Sequence, residues 1–221
     1  YVQDGVYMSQ AEIDIGPIDM EGNPTVGDIR FKDINGDGVI DAQDRTEIGS
    51  YNPDYTWGIQ NRFSWRALDV GFFFNGVVGR EVLNLTRRHM EPEGNFNLYR
   101  ELVGRYYKSA EEPGDGIHPK PDRQSHGGGT RPSTRQVEDG SYTALKNITL
   151  GYNLPESLAD RIWGSPGNVR IFASVTNVAI WTDYWGWNPE VNIQSSGLTP
   201  GEDYGAYPLM RAYQFGLEIG F

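Results

Sequence analysis

From Tyr213 to Phe221 every second residue is large and apolar: Tyr213, Phe215, Leu217, Ile219 and Phe221. Gln214, Gly216, Glu218 and Gly220 lie between them. A strict period of two predicts a strand with one greasy face and one small or polar face. The same alternation runs through Trp57, Ile59, Phe63 and Trp65. After Arg66-Ala67 it resumes through Leu68, Val70, Phe72 and Phe74, so 57–65 and 68–77 read as a hairpin. Two further strands follow, Ser141 to Asn153 (Ile148, Leu150 and Tyr152 on one face) and 169–177 (Val169, Ile171, Ala173 and Val175). A soluble sandwich also has one apolar face per strand. Strands of about ten residues, however, are long enough to cross hydrocarbon when tilted. Trp57 and Trp65, at the two ends of one strand, match interfacial aromatic girdles.

Between the strands the pattern changes. Ser9 to Gly27 reads as loop, and Gly27 to Lys32 as extended. Phe96, Tyr99, Leu102, Val103, Tyr106 and Tyr107 have helical spacing, predicting a helix over 96–108 inside a long polar connection. Pro155 to Trp163 reads as a short helix with proline at its start. The 177–206 stretch reads as loop. If Phe221 ends on the periplasmic side, strand directions put the short connections (66–67 and 154–168) inside and the long ones (78–140 and 178–206) outside. That is the arrangement of outer-membrane barrels.

Composition narrows the classes. The 221 residues hold no cysteine, so disulfides, thiolate metal sites and a cysteine nucleophile are excluded. Asp plus Glu number 30 against 19 Lys plus Arg, the opposite of a nucleic-acid binder's balance. No apolar run is long enough for a transmembrane helix, and no signal peptide stands at Tyr1. A barrel protein is exported, so Tyr1 is expected not to be the original start. Gly127-Gly128-Gly129 lacks the lysine and hydroxyl of a phosphate loop, and His89, His118 and His126 lack metal-ligand spacing. No nucleophile motif appears, so an enzyme is not expected.

The strongest local motif is Asp33 to Asp44, which fits the twelve-residue calcium-loop pattern. Asp33, Asn35 and Asp37 take positions one, three and five, and Gly38 the turn at six. Val39 offers its carbonyl at seven, Ile40 points inward, Asp41 takes nine and Asp44 twelve. A hard cation wants six to eight oxygens, and four carboxylates this close repel one another without one. Asp44 is shorter than the usual glutamate, and the extended segment before the loop excludes a helix-loop-helix sensor. Ca2+ held here would be structural. The aromatic group Trp181, Tyr184, Trp185 and Trp187 has two readings, stacking on ligand or anchoring at the membrane interface.

Four segments together resemble a known family. They are Gly27-Asp28 to Asp44, Gly140-Ser141-Tyr142 through Pro155, Ser174 to Asn177 with Asn188-Pro189-Glu190, and Tyr207-Pro208 to Phe221. The combination is similar to the C-terminal part of SusC/RagA-type TonB-dependent outer-membrane receptors of Bacteroidota. The resemblance implies an all-β fold, the C-terminal portion of a large antiparallel transmembrane barrel of about 22 strands with long extracellular loops. It covers 1–221, with the calcium loop 33–44 within it and the plug domain and earlier strands outside. Only about six or seven strands of ~10 residues fit here. An open sheet in lipid is prohibitive, so the remaining strands are expected from elsewhere. The implied function is import of oligosaccharides or peptides in the outer membrane. The implied partners are a SusD-like surface lipoprotein, the TonB complex, outer-membrane lipid, and the parent's own plug and strands. Tyr213, Phe215, Leu217, Ile219 and Phe221 would form the assembly signal. The competing reading is a soluble, calcium-stabilised carbohydrate-binding sandwich.

Overall fold

The computed structural model describes residues 1–87, 97–121, 131–155, 157, 168–191 and 201–220. The expected helix 155–163 lies almost wholly outside them, as do His89, His126, Gly127 to Gly129 and Phe221. In chain order the elements are β1 (Gln3–Val6), α1 (Gln10–Ile15), β2 (Ile18–Asp19), β3 (Ile29–Phe31), β4 (Val39–Ile40), β5 (Tyr55–Trp65) and β6 (Leu68–Val78). Then come β7 (Glu81–Asn84), β8 (Val137–Asp139), β9 (Tyr142–Asn153), β10 (Asn168–Thr182), β11 (Glu202–Asp203) and β12 (Ala212–Gly220). The chain divides into two units: 1–51, 81–138 and 191–206 form the first, and 52–80, 139–190 and 207–221 the second.

The second unit is one antiparallel sheet in the order β12-β10-β9-β6-β5. Its registers bring the predicted faces together. Phe63 lies opposite Val70 and Ile59 opposite Phe74, while Val70 faces Leu150 and Phe72 faces Ile148. Ala173 stands between Leu150 and Phe215, and Ile171 between Tyr152 and Leu217. Directly opposed residues share a face, so one side is apolar across all five strands, interrupted by Asn61 opposite Phe72. This side is uncovered: Phe215 is 81% exposed, Phe63 60% and Leu217 52%. A soluble sheet of this size would bury such a face against a second layer. The other side carries Gln60, Arg62, Asp69, Asn147, Thr149, Arg170, Gln214 and Glu218.

The hairpin β5–β6 closes on Arg66-Ala67, with Arg66 at φ 54°, a left-handed conformation that lets two ordinary residues turn the chain. The hairpin turn and the strand ends at Asn153 and Asn168, which the 154–167 connection joins, lie at one end of the sheet. The strand ends at Tyr55, Val78, Tyr142, Thr182 and Ala212, which the longer stretches of chain join, lie at the other. The expected sorting of short from long connections holds. Among the described residues there are five long strands, against the six or seven expected, because the N-terminal segment makes two-stranded pairs instead, β1 with β3 and β2 with β4.

Two expectations are corrected. Strand β10 does not end at 177 but runs to Thr182, so Trp181 lies on a strand and not in a loop. Asn177 sits at φ 53° in a bulge where the pairing with β9 shifts between Thr176 and Ala179, after which the ladder resumes. Its side-chain amide donates to the Met210 carbonyl at 3.0 Å. Likewise 96–108 is not a helix over its described residues. One 3-10 turn at Arg100–Leu102 stops before Gly104 at φ 83°, and Tyr106 then bridges to His118.

In the first unit Tyr1, Ile29, Phe31 and Ile40 form a small buried cluster. Arg131 lies over the Tyr1 and Phe31 rings and donates through Nη2 to both carboxylate oxygens of Asp19 at 2.8 Å. A further element, α1, interrupts the segment expected to be loop. Ser9 caps it, accepting from Glu12 N, and Glu12 accepts in return from Met8 N at 2.9 Å.

Candidate functional site

The acidic loop runs from the end of the β3 extension into β4 and a 3-10 turn at Ala42–Asp44. Ile40 is anchored in the apolar cluster, as its position in the loop pattern requires, and β4 pairs in parallel with β2. The polar side chains hold the loop by accepting from its own backbone. Asp33 accepts from Gly36 N at 2.7 Å and Gly38 N at 2.8 Å. Asn35 accepts from Asp37 N at 3.0 Å, Asp37 from Val39 N at 2.9 Å and Asp41 from Gln43 N at 2.7 Å. Gly36 and Gly38 adopt positive φ, which lets the backbone curl around Asp33. Asp44 is buried and accepts at both oxygens, from Ile34 N and Asp41 N at 2.8 Å each. The Asp41 N–H bond, above all, holds the Asp44 carboxyl below the usual carboxylate range; burial opposes it, and the Ile34 N–H adds to it.

The donor set contains only oxygens: four carboxylates, the Asn35 amide and the Val39 carbonyl. That chemistry suits a hard divalent cation. Yet no group of three or more His, Asp or Glu side chains among the described residues is arranged to hold a metal ion. Each carboxylate oxygen that accepts a single N–H bond keeps a further lone pair.

The four aromatics differ in their surroundings. Trp181 sits on the apolar face opposite Thr143, its ring stacked with Phe74 at 6.5 Å. It is on the long-loop end, level with the girdle position of Trp57, whose indole covers the space a side chain at Gly76 would need. Tyr184 is buried, while Trp185 and Trp187 are exposed, Trp187 by 71%. At the opposite end Trp65 lies exposed under the Arg66 guanidinium, 4.9 Å from its ring. Of the terminal strand, Tyr213, Phe215, Leu217 and Ile219 share the apolar face.

Sequence reading missed two features. One is a set of ion pairs on the polar face joining Arg62, Asp69, Arg170 and Glu218. The other is Asp115, which accepts at Oδ1 from Ile117 N and His118 N, both at 3.0 Å. Its Oδ2 accepts from Arg105 Nε at 3.0 Å and meets His118 Nδ1 at 2.7 Å. Burial opposes ionisation there, but the bonds from the His118 and Ile117 N–H groups and the His118 ring outweigh it and hold Asp115 at about 2.

A strand-built surface with one face for lipid and one for water defines the wall of a transmembrane β-barrel; no helix among the described residues is long and apolar enough to cross a membrane. No family model matches the chain. It is 33% identical over 231 aligned residues to TonB-dependent receptor P3 of Formosa agariphila, covering 100% of this chain and 22% of that protein. TonB-dependent receptor P26 of the same organism is 34% identical, covering 98% and 22%. TonB-dependent receptor SusC of Bacteroides thetaiotaomicron is 26% identical, covering 86% and 17%. The RagAB peptide importer in its open-open state superposes with a TM-score of 0.69 at 20% identity, over 100% of this chain and 22% of that one. The closed-closed state gives a TM-score of 0.67 at 21% identity. The chain is a segment of a SusC/RagA-type TonB-dependent receptor, and its place is the bacterial outer membrane. It spans about a fifth of the length of the relatives it matches.

Proposed function

We propose that the receptor to which this chain belongs imports oligosaccharides or peptides across the outer membrane, with a SusD-like surface lipoprotein as partner and TonB as the energy source. The observation that carries this reading is the match of the entire chain to TonB-dependent receptors. The sheet, with its uncovered apolar face, fits that role and not a soluble sandwich. The chain would supply wall strands and external loops, and the matched relatives are receptors by name, not enzymes. Trp187, with its open ring, is the member of the aromatic group best placed to meet cargo. The apolar residues of β12, with Phe221, would present the assembly signal. Affinity purification of the full-length receptor from outer membranes tests the reading: a lipoprotein of the SusD type co-purifies. Repeated recovery of the receptor without one contradicts it.

The loop Asp33, Asn35, Asp37, Val39, Asp41 and Asp44 would hold calcium as a structural ion. Its spacing and its oxygen-only donor set support this; the ion would neutralise four neighbouring carboxylates and pin the loop. The double variant Asp33→Ala with Asp37→Ala is expected to abolish calcium uptake by titration calorimetry and to expose the loop to protease. A wild-type receptor that takes up no calcium contradicts the assignment.

A further inference from the structure

Four charges stand in a row across the polar face of the sheet: Arg62 on β5, Asp69 on β6, Arg170 on β10 and Glu218 on β12. Arg62 Nη2 donates to Asp69 Oδ2 at 3.2 Å. Arg170 grips both oxygens of Asp69, Nε to Oδ1 at 3.1 Å and Nη2 to Oδ2 at 2.9 Å, and its Nη1 donates to Glu218 at 3.0 Å. Strand β9 lies between β6 and β10, and the row crosses it at Gly151, which is directly opposite Asp69. A Cβ on Gly151 would lie 2.5 Å from Asp69 Oδ1 and 2.6 Å from Arg170 Nη2. Glycine is thus the opening that lets the two charges meet over the strand.

The signs alternate along the row, and its middle is closed while its ends are open. The Asp69 and Arg170 side chains are 5% and 19% exposed. Arg62, at one end, is 66% exposed, and Glu218, at the other, 61%. Among the described residues Arg170 uses Nε, Nη1 and Nη2, whereas Arg62 uses only Nη2. The open ends stand on β5 and β12, the two edge strands. Unpaired strand edges are not tolerated in hydrocarbon, so other strands of the receptor must pair there. Opposite charges stabilise neighbouring strands and like charges oppose pairing.

We propose that the row continues onto both flanking strands of the same receptor. The strand beside β5 carries a carboxylate level with Arg62, and the strand beside β12 carries a lysine or arginine level with Glu218. The row then fixes register near the short-turn end of the wall. A slip of one residue would turn every one of these charges to lipid. This rests on the barrel assignment and not on the cargo or partner, so a failed purification of the lipoprotein leaves it standing.

The test uses the full-length receptor assembled in outer membranes, carrying Arg62→Lys and treated with a zero-length carbodiimide. The expected result is a peptide containing position 62 joined to an acidic peptide from outside these 221 residues, with no such product from a Gln60→Lys control. Coupling to Asp69 alone, or none in an assembled receptor, overturns the proposal. Should Arg62→Lys fail to assemble, a density map of the wild-type receptor decides: an Asp or Glu oxygen of the flanking strand within hydrogen-bond reach of Arg62 supports it. An apolar or basic neighbour at that level overturns it.

Discussion

Asp69 is the residue whose loss the sheet should feel most. Two arginines converge on its buried carboxylate, and its removal leaves Arg170 holding a half-empty grip. Breaking a buried pair by deleting one partner costs about 3–5 kcal/mol. We expect Asp69→Asn to fall toward the lower end, about 3 kcal/mol, because Glu218 still holds Arg170. A larger side chain at Gly151 should act in the same direction by wedging the pair apart. Heat-modifiable gel mobility of the assembled receptor reads both, as a lower unfolding temperature. Asp115 makes a prediction of the opposite kind, tied to pH. Its folded-state pKa lies near 2, against 3.8 ordinarily. Its contribution is therefore fully present above pH 3.8 and is lost as pH falls through 2. Amide exchange at Ile117 and His118, whose N–H groups it holds, should accelerate across that window, and Asp115→Asn should remove the step.

At the scale of elements, the strands were legible because each face meets one uniform surrounding, lipid or water. Trp57 to Trp65 and Tyr213 to Ile219 alternate without a break in register, so the face assignment follows from spacing alone. What was not legible depends on geometry that spacing does not carry. Asn177 looks like a loop residue because asparagine favours left-handed backbone, yet here that conformation makes a bulge and β10 continues past it. Helix α1 had a readable sign, Ser9 followed by Glu12, but six residues give no periodicity to support it. The Asp69–Arg170 pair joins residues 101 apart in sequence and exists only once β6, β9 and β10 are in register. The acidic loop was legible as a donor set; the turning of its carboxylates to loop N–H groups was not. The face assignment gives a direct prediction. Arginine at Ile59 or Phe72 should cost about 2–4 kcal/mol in folding into bilayers, while arginine at Gln60, on the polar face, should cost far less. Equal costs at the two kinds of position would contradict the faces.

For the whole molecule, this sheet is a piece of barrel wall, with lipid against Ile59, Phe63, Phe72, Phe215 and Leu217 and water against Gln60, Arg62, Gln214 and Glu218. A two-faced sheet with bare edges has no stable place in water or in lipid by itself. It becomes stable when the rest of the receptor supplies strands and the membrane covers the apolar side. The most direct measurement is a spin-label accessibility scan along β5 and β12 in the full-length receptor in bilayers, comparing oxygen with a water-soluble paramagnetic reagent. A period of two is expected on both strands, with oxygen favoured at Ile59, Phe63, Phe215 and Leu217 and the water-soluble reagent at Gln60, Arg62, Gln214 and Glu218. Accessibility without that alternation, or the water-soluble reagent favoured on both faces, would contradict it.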